Sequence, residues 1–146
     1  MAHPSALDTL IELATTETED AAKRLGMAIK AAAETQSKLD LLCGYREEYA
    51  ARFQNSLTAG LTAMGYRNFQ LFMDKLDNAV ASQQKVVLEA NKRIEERRAA
   101  WQAGEKKRMS YGTLAARAAQ QAQHRENKRD QKAMDEHAAR QYLYKK

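Results

Sequence analysis

Apolar residues recur along the N-terminal third of the chain in alternating steps of four and three. Positions 7, 11, 14, 18, 21, 25, 28, 32, 35, 39, 42, 46, 49 and 53 read Leu, Ile, Ala, Thr, Ala, Leu, Ala, Ala, Thr, Leu, Leu, Arg, Tyr, Phe, and eleven of the fourteen are apolar. A 3.5-residue repeat held over about seven heptads describes a helix that buries one narrow stripe against another helix, because a straight 3.6-residue helix would drift off the seam. Ser5 and Asp8 stand just before the repeat. The hydroxyl can accept from a free amide of the first turn, and the carboxylate suits the positive end of the helix dipole, so the first helix is predicted to begin near residue 5. It should run to about residue 55, a rod of about 75 Å at 1.5 Å per residue.

Between Asn55 and Gly65 the charge pattern lapses and two glycines appear, which predicts a turn over about 56–65. A second repeat follows: Phe69, Met73, Leu76, Val80, Gln83, Val87, Ala90, Ile94, Arg97, Trp101. It weakens through Gly104 and Arg108 and continues to Tyr111 and Leu114 or Ala115. A turn near residue 60 makes the two helices antiparallel, pairing residue i with about 121 − i, so that Phe53 meets Phe69, Leu25 lies near Ile94 and Arg97, and Leu7 faces Leu114. The fold class predicted is all-α: a long antiparallel two-helix coiled-coil hairpin, monomeric rather than a parallel dimer, forming a single coiled-coil domain over 1–146. Helix two should span about 66–116, and a basic helical overhang about 117–146.

The overhang has almost no large apolar side chain before Met134 and is dense in charge of both signs. Pairs such as Lys132 with Glu136 and Glu136 with Arg140 support a helix by only about 0.2–0.5 kcal/mol each. Alone it should fray, and on a partner it should be helical.

Composition agrees with a long-helix protein: 44% apolar but only 7% aromatic, six glycines and one proline in 146 residues. The net charge of +5 is unevenly placed. Residues 1–90 carry nine Lys/Arg against twelve Asp/Glu, and residues 91–146 carry fifteen against seven, so the C-terminal third is built to meet something acidic. One cysteine, Cys43, allows no intramolecular disulfide, and no apolar leader or membrane-spanning run is present, which reads as a reduced, cytosolic protein without a transmembrane segment.

Enzymatic chemistry finds little footing. Gly60 and Gly65 have the glycine spacing of a phosphate-binding loop, yet Tyr66-Arg67 stands where Lys and Ser or Thr are required, and no strand precedes it. His3, His124, His137 and Cys43 share no ligand spacing, so no metal and no cofactor is expected. A two-helix rod offers no cleft to shift a carboxylate pKa.

Around Leu39 to Phe53 the apolar residues exceed what a two-stranded seam can take. By the pairing rule Tyr45 falls opposite Leu76, Tyr49 opposite Phe72 and Leu42 opposite Ala79. The surplus either broadens the core near the turn or stays exposed as a binding patch. For the basic end the alternatives are a solvated helix face, a docking helix for a protein, or a nucleic-acid arm. Glu126, Asp130, Asp135 and Glu136 interrupt the charge and only Tyr142 and Tyr144 could stack on bases, which favours a protein surface. A basic coiled coil binding nucleic acid through its C-terminal segment is the rival reading.

Several of these segments resemble the bacterial flagellar FliJ family: Ala6-Leu7 through Ala21-Ala22-Lys23-Arg24-Leu25-Gly26, Leu42 to Tyr45-Arg46-Glu47-Glu48-Tyr49, Phe72 to Leu76 with Ala79 and Gln84, Trp101, and the ending from Glu126 to Arg140. The most specific part is Arg129-Asp130-Gln131-Lys132-x-Met134-Asp135-Glu136-x-Ala138-x-Arg140. The resemblance covers about residues 6–140. It implies a non-enzymatic central stalk and adaptor of the flagellar type III protein export apparatus, cytoplasmic and peripherally associated with the inner-membrane export machinery. The implied partners are the hexameric export ATPase, the cytoplasmic region of the export gate protein FlhA, and export chaperones, with no nucleic acid. It also implies residue roles. Leu42, Tyr45, Tyr49, Phe72, Leu76 and Ala79 fit the family's gate-contacting positions. Arg125, Glu126, Arg129, Asp130, Gln131, Lys132, Met134, Asp135, Glu136 and Arg140 fall on the ATPase-docking end.

Overall fold

A computed structural model describes residues 5–145, and it contains two helices, α1 (Ala6–Ala59) and α2 (Ala63–Tyr144). The start of α1 follows from the sequence. The Ser5 hydroxyl accepts from the Asp8 amide at 3.1 Å while the Asp8 carboxylate accepts from the Ser5 amide at 3.2 Å, a reciprocal pair that satisfies two donors of the first turn.

The turn is tighter than the composition of 56–65 predicts, since just Gly60, Leu61 and Thr62 stand between the two helices. Gly60 ends α1 in the left-handed region, φ 98°, where any side chain would be strained, and its amide donates to the Leu57 carbonyl. Thr62 starts α2: its hydroxyl accepts from the Gly65 amide at 3.0 Å and its carbonyl from the Tyr66 amide at 2.9 Å. Two caps placed back to back leave no need for a longer loop. The Gly60-to-Gly65 spacing is thus the hairpin turn.

The helices pair antiparallel, and the chain divides into two compact units. In the unit Glu19–Gln102, Phe53 packs on Phe69 with centroids 5.2 Å apart and Tyr49 on Phe72 at 4.3 Å. In the other unit, made of the chain up to Thr18 and from Ala103 on, Thr18 lies against Gly104. The predicted register holds in each. Thirteen of the fourteen stripe positions of α1 are half-buried or buried, Arg46 being the exposed one, and on α2 nine of the ten from Phe69 to Trp101 are likewise covered, Arg97 being exposed. Past Trp101 the register continues through Gly104, Arg108, Tyr111 and Ala115; Leu114, the other candidate, is 49% exposed.

Burial is thin, as a two-helix seam requires. Ala14, Thr18, Ala28, Ala32 and Val87 are buried, and among the described residues no large side chain is fully enclosed. Small residues let the helix axes approach. At Gly104 a Cβ would lie 2.9 Å from Thr18 Oγ1 and 3.5 Å from Thr18 Cα, so glycine is what this crossing accepts. Near the turn five aromatic rings line the seam instead: Tyr49, Phe53, Tyr66, Phe69 and Phe72 form four tilted pairs at 4.3–5.5 Å. Such pairs contribute about 0.5–1.5 kcal/mol each beyond the area they bury.

Polar residues in the stripe are accommodated one by one. Thr18 and Thr35 turn their hydroxyls back to the carbonyls of Ala14 and Ala32, both at 2.7 Å. Gln83 Nε2 donates across the seam to the Thr35 carbonyl at 2.9 Å. Arg46 leaves the stripe to meet Asp77 on α2. Arg108 reaches Glu105 at 2.9 Å, although its buried Nε finds no acceptor. Each would otherwise carry the cost of an unpaired polar group against an apolar stripe.

Candidate functional site

Two surfaces carry the residues singled out from the sequence. The first lies in the unit Glu19–Gln102 and brings together Leu42, Tyr45 and Tyr49 of α1 with Phe72, Leu76 and Ala79 of α2. Their heptad positions decide their exposure. Leu42 and Tyr49 are stripe positions and half-buried, as is Leu76; Ala79, one step before the stripe residue Val80, is also half-buried. Tyr45 and Phe72 lie off the stripe and are 51% and 45% exposed. Tyr45, Tyr49, Phe72 and Leu76, with Glu48 and Arg52, line an open groove of about 260 Å³. The surplus over a two-stranded seam is therefore divided. Tyr49 belongs largely to the core, in tilted contact with both Phe69 and Phe72, whereas Tyr45 stands on the surface with Leu41 beside it, itself 56% exposed. The repeat already separates the two tyrosines, Tyr49 falling on the stripe and Tyr45 off it; what sequence reasoning omitted is Glu48 and Arg52, whose side chains also line the groove.

The second surface is the C-terminal part of α2. Every described residue from 116 to 145 is exposed, including all ten of Arg125, Glu126, Arg129, Asp130, Gln131, Lys132, Met134, Asp135, Glu136 and Arg140. They lie on one continuous helix but not on one face, because the run from Arg129 to Glu136 passes around about two turns. The ion pairs expected of Lys132 with Glu136 and of Glu136 with Arg140 do not form; amide side chains bridge instead, Gln123 to Asn127 at 3.1 Å and Gln131 to Asp135 at 3.2 Å. Fully exposed ion pairs gain little over hydration and lose side-chain entropy, so leaving them open costs almost nothing. The charged groups are consequently free to engage a partner. Met134 is 68% exposed, an apolar group set among them.

Nothing in either surface is arranged for catalysis. Among the described residues no group of three or more His, Cys, Asp or Glu could hold a metal, and Cys43 is a half-buried free thiol beside the stripe. No helix of the described residues is long and apolar enough to cross a membrane.

A paired-helix fold with a groove on one unit and an exposed, charged helix on the other presents surfaces of the kind that proteins use to contact other proteins. A family profile for the flagellar FliJ protein matches residues 3–146. The flagellar FliJ proteins of Escherichia coli K12 and Salmonella typhi are 30% and 28% identical to this chain over 145 residues, covering 99% of both sequences in each case. The chain belongs to the flagellar FliJ family, a family of flagellum biogenesis proteins and not of enzymes.

Proposed function

We propose that this protein is the central stalk and adaptor of the flagellar type III export apparatus. Its C-terminal helix, in the unit that carries both ends of the chain, inserts into the hexameric export ATPase. The groove around Tyr45 and Phe72 contacts the cytoplasmic region of the export gate protein FlhA, and the protein escorts export chaperones. In this reading it works in the cytoplasm, at the inner-membrane export machinery.

The observation that carries the proposal is the helix from residue 116 to 144, long, mixed in charge and exposed at every described position, in a protein of the FliJ family. A helix with no buried stripe cannot be stabilised by tertiary packing within its own chain, so a partner that surrounds it, such as a ring, suits it. Acidic residues alternating with basic ones favour a protein surface over a polyphosphate backbone.

The gate contact is tested by titrating the purified cytoplasmic region of FlhA against the wild type and Tyr45→Ala. Tyr45 is half-exposed and lies off the stripe, so its loss should leave helicity by circular dichroism unchanged and weaken binding at least about tenfold, the order expected of a tyrosine at an interface centre. Undiminished binding would remove the groove from the proposal.

A further inference from the structure

Three arginines occupy stripe positions or their immediate flank, and they are treated differently by the fold. Arg46 is neutralised by Asp77 and Arg108 by Glu105. Arg97 meets no carboxylate. It stands exposed beside Arg93, four residues earlier on the same face of α2, and Arg24 of α1 reaches the same groove. Like charges at i and i+4 oppose helix formation, and a third cation from the other helix adds to that repulsion. Arg24 and Arg93 also lack an ion pair. Of the three in-register arginines, Arg97 alone is left without a carboxylate, and it stands in a cluster of three exposed cations drawn from both helices, open to an acidic partner.

The groove that the three guanidinium groups surround is partly apolar. Buried Ala28, 6% exposed, with the exposed Ala31 and Met27, the latter 72% exposed, supplies the apolar part of its lining, around a volume of about 230 Å³. Guanidinium groups bind carboxylates bidentately and methionine adapts to varied apolar shapes. No aromatic side chain lines the groove, so there is no platform on which bases could stack. A bare phosphate would leave the alanines and Met27 uncovered.

We infer that Arg24, Arg93 and Arg97, arranged around Ala28 and Ala31, form a docking groove for an acidic amphipathic peptide segment of a protein partner, one small apolar side chain entering the groove and flanking carboxylates engaging the arginines. This surface is separate from the groove at Tyr45 and from the C-terminal helix, and the inference stands whether or not either of those contacts is confirmed.

The test uses the full-length protein and a fluorescein-labelled helical peptide of glutamate, alanine and leucine, read by fluorescence anisotropy. Its glutamine counterpart, a labelled single-stranded oligothymidylate and inorganic phosphate as competitor form the other arms. The acidic peptide should bind, and binding should fall at least about tenfold in the double variant Arg93→Gln/Arg97→Gln, with a smaller fall in Arg24→Gln. The double variant Arg125→Gln/Arg129→Gln, which removes as much positive charge from the C-terminal helix, should change binding less than about twofold. Circular dichroism verifies that the variants remain helical, as loss of exposed like charges should allow. Filling the groove with Ala31→Phe should weaken peptide binding without changing the charge. Five results would each overturn the inference: no binding of the acidic peptide, equal binding of its glutamine counterpart, equal losses in the two double variants, tighter binding of the oligothymidylate, or full displacement by millimolar phosphate.

Discussion

Replacing Gly104 by alanine should weaken the unit that contains both ends of the chain, although the same change elsewhere in α2 should strengthen the helix. In a helix interior Gly→Ala contributes about 1 kcal/mol through backbone entropy. At Gly112 a Cβ would meet nothing within 4 Å, so Gly112→Ala should realise that gain. At Gly104 the same Cβ would lie 2.9 Å from Thr18 Oγ1. That hydroxyl cannot step aside cheaply, because the residue is 4% exposed and its Oγ1 donates to the Ala14 carbonyl at 2.7 Å. Forcing a methyl into a packed contact costs about 1–3 kcal/mol. Gly104→Ala should therefore lie about 1–3 kcal/mol below Gly112→Ala, the difference cancelling the shared propensity term. Urea unfolding followed by circular dichroism gives the global values, and amide exchange of residues 6–18 and 103–115 localises the effect. In a Thr18→Ala background the nearest remaining atoms, Thr18 Cα at 3.5 Å and Cβ at 3.6 Å, are ordinary contacts, and Gly104→Ala should recover most of the deficit. If Gly104→Ala stabilised the protein as much as Gly112→Ala, the close crossing at Thr18 would not exist in solution.

Gly60→Ala should lower stability by about 1–2 kcal/mol, since φ 98° places a Cβ in the left-handed region, and an unchanged urea midpoint would show that the turn differs from this one. Tyr49→Ala should cost about 2–4 kcal/mol by removing the ring in contact with Phe69 and Phe72, whereas Tyr45→Ala should stay within about 0.5 kcal/mol, and similar losses at both would place both tyrosines in the core. Breaking the exposed Arg46–Asp77 pair by Asp77→Asn should cost less than about 1 kcal/mol at low salt and fade as salt rises; a larger, salt-independent loss would mean that the pair is more buried than its half-exposed side chains indicate.

The hairpin was legible because period and turn chemistry act locally. Each step of four or three between Leu7 and Phe53 reports one side of one helix, and Gly60 marks the only place among the described residues where the backbone needs a positive φ. What the period could not convey is how a position is used. Gly104 read as a gap in the second repeat and is instead a point of close contact with Thr18, because a missing side chain and a tight crossing look identical in a hydrophobic pattern. The repeat puts Tyr49 on the stripe and Tyr45 off it, and the rings of α2 meet Tyr49 as that implies, but it does not show that Phe72, itself off the stripe, closes over Tyr49. The arginines at 46, 97 and 108 all read as flaws in the stripe. Arg108 could have been paired from the sequence, Glu105 lying three residues before it on the same helix, whereas the Arg46 partner, Asp77, lies 31 residues away and no local pattern encodes it.

The central claim, that the C-terminal helix is the part that engages the export ATPase, is tested most directly by removing residues 125–146. Purified export ATPase should be stimulated by the full-length protein and not by the truncated one, while binding of the truncated protein to the cytoplasmic region of FlhA stays at the wild-type level, because the groove at Tyr45 and Phe72 lies in the other unit. Full stimulation by the truncated protein, with gate binding intact, would contradict the account.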